Sequence, residues 1–149
     1  MASAAPKSAT LLESFHTLAI TEELTNRGSK GYRERRKQFL IENVQRAFVD
    51  QFGVNANSLE NWKRLLATIG IEGSNELTSI QQCKNALKGK FINIVDLVDA
   101  ANAGSKIKSP NPFTSAKALS RYIKTTSKIF PKGAAKANPL LRQFLVVVT

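Results

Sequence analysis

The sequence has very little of the chemistry that covalent cross-links, metal sites and nucleophilic catalysis need. Its 149 residues include one cysteine, Cys83, and one histidine, His16. A single cysteine excludes an internal disulfide framework and any zinc module with several cysteines. A Cys83–His16 pair would have to form across the NRGSKG segment at 26–31, and the glycines do not follow the spacing of a phosphate-binding loop. We therefore expect no enzyme activity, no catalytic residues, no cofactor and no metal.

Long apolar runs are also missing. No run approaches the roughly 20 residues that a membrane-spanning helix needs, so no integral membrane insertion is expected. The N-terminus lacks the basic patch and apolar stretch of a secretory signal, which predicts an intracellular protein, nuclear or cytoplasmic. A content of 42% hydrophobic and 22% charged residues is typical of a globular domain.

Acidic residues are absent from the last third of the chain. The net charge is +11, yet all eleven acidic residues lie within residues 1–100. Residues 101–149 carry nine bases: Lys106, Lys108, Lys117, Arg121, Lys124, Lys128, Lys132, Lys136 and Arg142. Such a segment produces a positive field that attracts nucleic acid, anionic lipid headgroups or an acidic protein surface. Composition alone does not choose among these partners.

Glycine and proline punctuate the chain at helix-sized intervals, and no stretch alternates steadily between apolar and polar residues. The sequence therefore predicts an all-α fold, a compact bundle of about five to seven short helices. Residues 1–31 are expected to form a tail with a detached helix and a linker, and residues 32–149 the helical domain.

Apolar spacing and capping residues locate the helices. Expected N-caps are Asn57 or Ser58, Ser79, Asn93, Thr114 or Ser115, and Asn138. The predicted helices span 11–24, 32–52, 59–69, 80–88, 94–103, about 115–128 and 139–145. Val146–Val148 are β-branched and are expected to be extended. Ser105–Phe113 contains two prolines and is expected to be a loop.

The helix expected at 115–128 carries the most specific pattern. Lys117, Arg121, Lys124 and Lys128 step by four, three and four residues, so they fall within roughly 60° on a helix. Lys132 and Lys136 continue the series beyond Pro131. A rigid row of cations suits nucleic-acid phosphates because each contact releases condensed counterions, and four contacts predict a salt slope of about −3.6. A merely solvated outer face remains the alternative interpretation.

A second basic cluster follows the NRGSKG segment. It consists of Arg33, Arg35, Arg36 and Lys37. It could be a phosphate-binding arm or a nuclear-localisation patch. The favoured interpretation is a helix start whose arginines pair with Glu34 and with solvent.

The two helices joined by Lys88–Ile92 resemble a helix-turn-helix in spacing, but the second of them carries Asp96 and Asp99 and no base. These carboxylates would repel phosphates, so we reject that docking mode. We expect Asp96 to support its helix N-terminus and Asp99 to be solvated. Cys83 is expected to be a small core residue.

The function predicted from these patterns is a non-enzymatic helical module that binds a polyanion, above all nucleic acid, with low sequence specificity. The alternative is a protein-interaction adaptor that uses an apolar terminal segment, either Phe144–Val148 or Leu11–Ile20. A peripheral membrane module ranks below both, because Leu119, Tyr122 and Ile123 are needed for the core. The sequence leaves the oligomeric state open.

Three stretches carry a resemblance to known proteins. SLENWKRLLATIGI, SIQQCKNALKGKFINIVDLVDA and FTSAKALSRYIKTTSKIFPKGAAK resemble a group of small fungal proteins of unknown function and about this length. The resemblance covers residues 32–145. It implies a fungal intracellular protein, and it brings neither an activity nor site residues.

Overall fold

The computed structural model describes residues 9–107 and 113–149, and these ranges form seven α-helices and no strand. The helices are α1 (Leu11–Thr21), α2 (Lys30–Phe52), α3 (Leu59–Ile69), α4 (Ile80–Leu87), α5 (Ile94–Asn102), α6 (Ala116–Thr126) and α7 (Pro139–Val148). Short 3-10 helices lie at Ser74–Glu76 and Lys132–Ala135. The expected all-α bundle is confirmed.

Polar caps fix the start of most helices, because the first backbone N–H groups of a helix have no partner within it. The side chains of Ser58, Ser79, Asn93, Ser115 and Asn138 each accept a hydrogen bond from the first turn of their helix. These are positions at which the sequence predicts caps. Gly70 ends α3 in the left-handed conformation, at φ 88°, which glycine adopts without strain.

The core forms where α2, α3, α4, α5 and α7 meet. Trp62 of α3 is fully buried, and its indole Nε1 donates a hydrogen bond to the carbonyl of Ala56 at 2.8 Å. On α5 the side chains of Val95, Leu97 and Val98 are all fully buried. Full burial of an apolar side chain contributes about 1.5–3 kcal/mol, so these positions hold the bundle together.

The N-terminal helix is docked rather than detached, which corrects the expectation for residues 1–31. Phe15 packs between the rings of Tyr32 and Phe39, with centroid separations of 5.3 and 5.5 Å. Leu11 belongs to the main core, and its backbone N–H donates to Asp99 Oδ1 at 2.9 Å. The boundary expected at 31/32 falls inside α2, because Ser29 caps that helix. Of the expected tail, residues 1–8 lie outside the described residues.

Two helix ends differ from expectation. α7 continues through Val148, because Val148 is fully buried and its carbonyl accepts the N–H of Ile92 at 3.2 Å. Tertiary burial thus outweighs the low helix propensity of valine. α6 ends at Thr126 rather than near Lys128, and Ser127 takes a left-handed conformation with φ 62°. The centre of the loop expected at Ser105–Phe113, residues 108–112, lies outside the described residues.

Asp99 is half-buried rather than solvated as expected. Burial raises the pKa of its carboxyl, and the nearby negative charge of Asp96 raises it further. The hydrogen bond from the Leu11 N–H lowers the pKa but does not outweigh burial. A carboxyl whose folded pKa is raised contributes most to stability below its unfolded value, about 3.9, and less as the pH rises through the folded value. We expect Asp99→Asn to flatten the decline of stability above about pH 4, because the substituted side chain no longer titrates. Urea unfolding of both proteins across this pH range measures the difference, with Asp50→Asn as the exposed control.

A result in which Asp99→Asn and wild type keep the same pH profile would contradict this role for Asp99.

No helix in the described ranges is both long enough and apolar enough to cross a bilayer.

Candidate functional site

Three basic side chains form one exposed face of α6, which we call the α6 basic face: Lys117, Arg121 and Lys124. At about 100° per residue they lie within roughly 60° of one another. The opposite side of α6 holds the helix on the bundle through buried Leu119 and half-buried Tyr122 and Ile123. Within the part of the chain that the structure describes, none of the three cations forms an ion pair with a carboxylate. The face is therefore positive without local neutralisation.

Lys128 does not belong to this face, which corrects the sequence-based series. It lies two residues beyond the end of α6 and turns toward α5. Its ammonium donates to Asp96 Oδ1 at 2.6 Å and to the Tyr122 hydroxyl at 2.8 Å. The Tyr122 hydroxyl in turn donates to Asp96 Oδ2 at 2.7 Å. We call these three residues the Lys128 cluster.

The Lys128 cluster is half-buried and held by charge. Burial opposes the positive form of Lys128, but the hydrogen bonds to Asp96 and Tyr122 outweigh it and raise the pKa of the ammonium. Burial also raises the pKa of the Tyr122 hydroxyl. Asn93 adds a further tie, since its Nδ2 donates to the carbonyl of Lys128 at 3.0 Å. The cluster fixes the chain after α6 to α5, and Asp96 neutralises its cation. Asp96 was expected only to support the N-terminus of α5, and its contacts with Lys128 and Tyr122 are an additional role.

Lys132 and Lys136 are exposed and lie on or beside the second 3-10 helix. Lys132 lines a surface pocket of about 190 Å³ together with Ser120 of α6. Lys132 therefore lies close to α6, whereas Lys136 follows the 3-10 helix that packs beside α7. Both lie outside α6 itself, and their supporting role stays a prediction.

The four basic residues predicted on α2 separate into two kinds. Arg33 and Lys37 are exposed. Arg35 pairs with Glu22, with Nε at 3.2 Å from Oε1, and the guanidinium of Arg36 lies over the ring of Tyr32 at 5.6 Å from its centroid. The arginines therefore do not pair with Glu34, which instead lies 3.9 Å from Lys30. Arg33 and Lys37 remain as the cations of this cluster that can meet a ligand.

This basic cluster adjoins the end of α6, a neighbourhood that the sequence does not predict. A surface groove, which we call the α2 groove, is lined by Lys30, Arg33, Glu34, Arg36, Lys37, Ser127 and Ile129. Its two sides are some ninety residues apart in the chain. No local pattern signals such a contact, because only the tertiary fold brings the segment that follows α6 beside the first turns of α2.

The residues considered for catalysis are not brought together. Cys83 is fully buried, and burial raises the pKa of its thiol despite the positive charge of Lys63. His16 is exposed on α1, where it contacts the guanidinium of Arg27. Cys83 is thus the core residue that its apolar position predicts.

The helix rejected as a DNA-recognition helix is α5, and four of its nine residues, Ile94, Val95, Leu97 and Val98, are buried in the core.

The apolar terminal segments predicted for an adaptor are largely buried in the bundle. Leu11, Phe15 and Ala19 are buried on α1, as are Phe144, Leu145 and Val148 on α7. Ile20 and Val146 stay exposed on these two helices.

These features define a helical bundle with an unneutralised basic face on one peripheral helix. No family model, no curated protein and no solved structure matches the chain. The resemblance to small fungal proteins stays a prediction.

Proposed function

We propose that this protein is a non-enzymatic module that binds the phosphate backbone of nucleic acid through the α6 basic face, with low sequence specificity. The observation that carries the proposal is the exposure of Lys117, Arg121 and Lys124 on one side of a helix, without carboxylate partners among the described residues. Cations so placed can each neutralise a phosphate and release counterions. Lys132, which lines a pocket together with Ser120 of α6, and Lys136 add further exposed positive charge.

The placement of the aromatic residues favours backbone contacts over base recognition. The chain has eight Phe, two Tyr and one Trp, all of them within the described ranges, and each of these side chains is buried or half-buried. Proteins that recognise single strands usually stack bases on exposed aromatic rings. Without such platforms, electrostatic contacts dominate, and they position nucleic acid without selecting its sequence.

The rival functions have less support. An adaptor needs a contiguous exposed apolar surface, but the terminal segments predicted for it are mostly buried. A peripheral membrane module needs the apolar face of α6, where Leu119 is buried and Ile123 is half-buried. The α6 side chains that the polyanion hypothesis needs are all exposed, whereas the rival hypotheses need side chains that are mostly buried.

We expect binding to duplexes of unrelated sequence to weaken steeply with salt. Three contacts predict a slope of log affinity against log salt of about −2.7 or steeper, a loss of roughly 40-fold or more between about 50 and 200 mM salt. Fluorescence anisotropy titrations with several duplexes measure both the slope and the spread among sequences. A flat salt response would refute the proposal, and strong preference for one sequence would refute the low specificity.

A further inference from the structure

The α2 groove is the site that the proposed function leaves unexplained. It has a volume of about 250 Å³ and lies where the first turns of α2 meet the segment that follows α6. Lys30, Arg33, Arg36 and Lys37 come from α2, and Ser127 and Ile129 come from the other segment. The groove thus has walls from two parts of the chain.

Positive charge dominates the groove. Four cations line it against one carboxylate, that of Glu34. Glu34 pairs with Lys30 only at 3.9 Å, and both side chains are largely exposed, so this pair neutralises little. Arg33 and Lys37 are exposed one helical turn apart and form no ion pair within the described residues. The groove therefore carries a net charge of about three, which favours an anionic ligand.

Both walls are fixed before any ligand arrives. Arg36 lies over the ring of Tyr32, which is buried beside Phe15. On the other wall, Lys128 stands between Ser127 and Ile129, and the Lys128 cluster together with Asn93 ties that segment to α5. A site with little conformational freedom to lose binds its ligand with a smaller entropic cost.

The chemistry of the groove suits a phosphate group. A guanidinium group donates paired hydrogen bonds to phosphate oxygens, and Arg33 supplies an exposed one at the groove. The groove also adjoins the α6 basic face, because Lys124 lies in the last turn of α6 and Ser127, which lines the groove, directly follows that helix. One polyanion can therefore contact both surfaces.

We propose that the α2 groove binds a backbone phosphate of the same nucleic acid that contacts the α6 basic face, an inference that rests on the proposed function. Arg33 and Lys37 contact the phosphate oxygens, while Arg36 forms the fixed floor beside Tyr32. The Lys128 cluster acts as a positioning element that holds Ser127 and Ile129 against α2. The bound nucleic acid then spans two cationic surfaces rather than one.

The test compares two double variants that remove equal charge. Arg33→Ala/Lys37→Ala removes two cations from the groove, and Arg64→Ala/Lys88→Ala removes two exposed cations from α3 and the end of α4. Two lost phosphate contacts predict roughly 30-fold weaker duplex binding at about 0.15 M salt, and a slope shallower by about 1.8. The wild-type slope should then be near −4.5, and the control variant should stay close to it.

Backbone amide shifts of Ser127 and Ile129 locate the contact. We expect them to change when a short duplex is added and to stay nearly unchanged with the same concentration of inorganic phosphate. Shifts with inorganic phosphate but not with the duplex would overturn the assignment to nucleic acid. Equal affinity of the groove variant and its control, with intact wild-type binding, would refute the groove alone. If the wild-type protein itself does not bind any duplex, the proposed function would be refuted instead.

Discussion

Arg121→Glu/Lys124→Glu weakens the binding of every duplex by at least about 30-fold at about 0.15 M salt, if the α6 basic face contacts phosphates as proposed. Each substitution removes one counterion-releasing contact and places a carboxylate where a phosphate would approach. The salt slope should become shallower by at least about 1.8. Anisotropy titrations at several salt concentrations measure both quantities for duplexes of different sequence.

The control for this variant carries the same change in net charge. Arg64→Glu/Lys88→Glu reverses two exposed cations outside the α6 basic face and the α2 groove. The protein should unfold at nearly the same urea concentration in both variants, because Arg121 and Lys124 are exposed and exposed positions rarely change stability by more than about 0.5 kcal/mol. Equal weakening by the two variants would show that only the net charge matters and that α6 has no special role.

Asp96→Ala lowers the free energy of unfolding by about 2 kcal/mol, the largest stability effect we expect from a residue at the site. The substitution leaves the Lys128 ammonium and the Tyr122 hydroxyl half-buried without their common acceptor. The full cost of breaking a buried pair is about 3–5 kcal/mol, and the side chains of Asp96 and Lys128 are still 28% and 21% exposed, so the loss is smaller. Thermal and urea unfolding measure it, with exposed Asp50→Ala as the control.

Removing both charges separates the ion pair from the packing around it. Asp96→Ala/Lys128→Met should recover part of the lost stability, since no unpaired charge then remains. The raised pKa of Lys128 means that the pair contributes fully at neutral pH and below the ordinary lysine value, and that its contribution disappears as the pH rises through the folded value. If Asp96→Ala lowers the free energy of unfolding no more than Asp50→Ala does, the result would contradict a structural role for the Lys128 cluster.

Local signals predicted the helices well because they depend on neighbours in sequence. Ser58 and Gly70 mark the two ends of α3, and its apolar spacing identified Trp62 and Leu66 as buried. The same reasoning failed at Val148, where the β-branched residues predicted an extended chain. Val148 is instead helical and fully buried, and its carbonyl accepts the N–H of Ile92. Propensity is a weak term when a side chain can be fully buried.

The candidate site was predicted only in part. Helical spacing placed Lys117, Arg121 and Lys124 on one exposed face, and the same spacing wrongly added Lys128. The helix stops at Thr126, and a partner 32 residues away neutralises the lysine. A periodic pattern cannot show where a helix ends against its neighbours or which carboxylate lies nearby in space.

The sequence by itself determined the all-α class, the helix caps and the concentration of uncompensated positive charge in residues 101–149, because each depends on residue type and short-range spacing. Only the tertiary structure decided that α1 docks on α2, that Lys128 pairs with Asp96, and that Arg33 shares a groove with Ser127. These features arise from contacts between segments far apart in the chain, whose geometry is set by burying the apolar sides of all the helices at once.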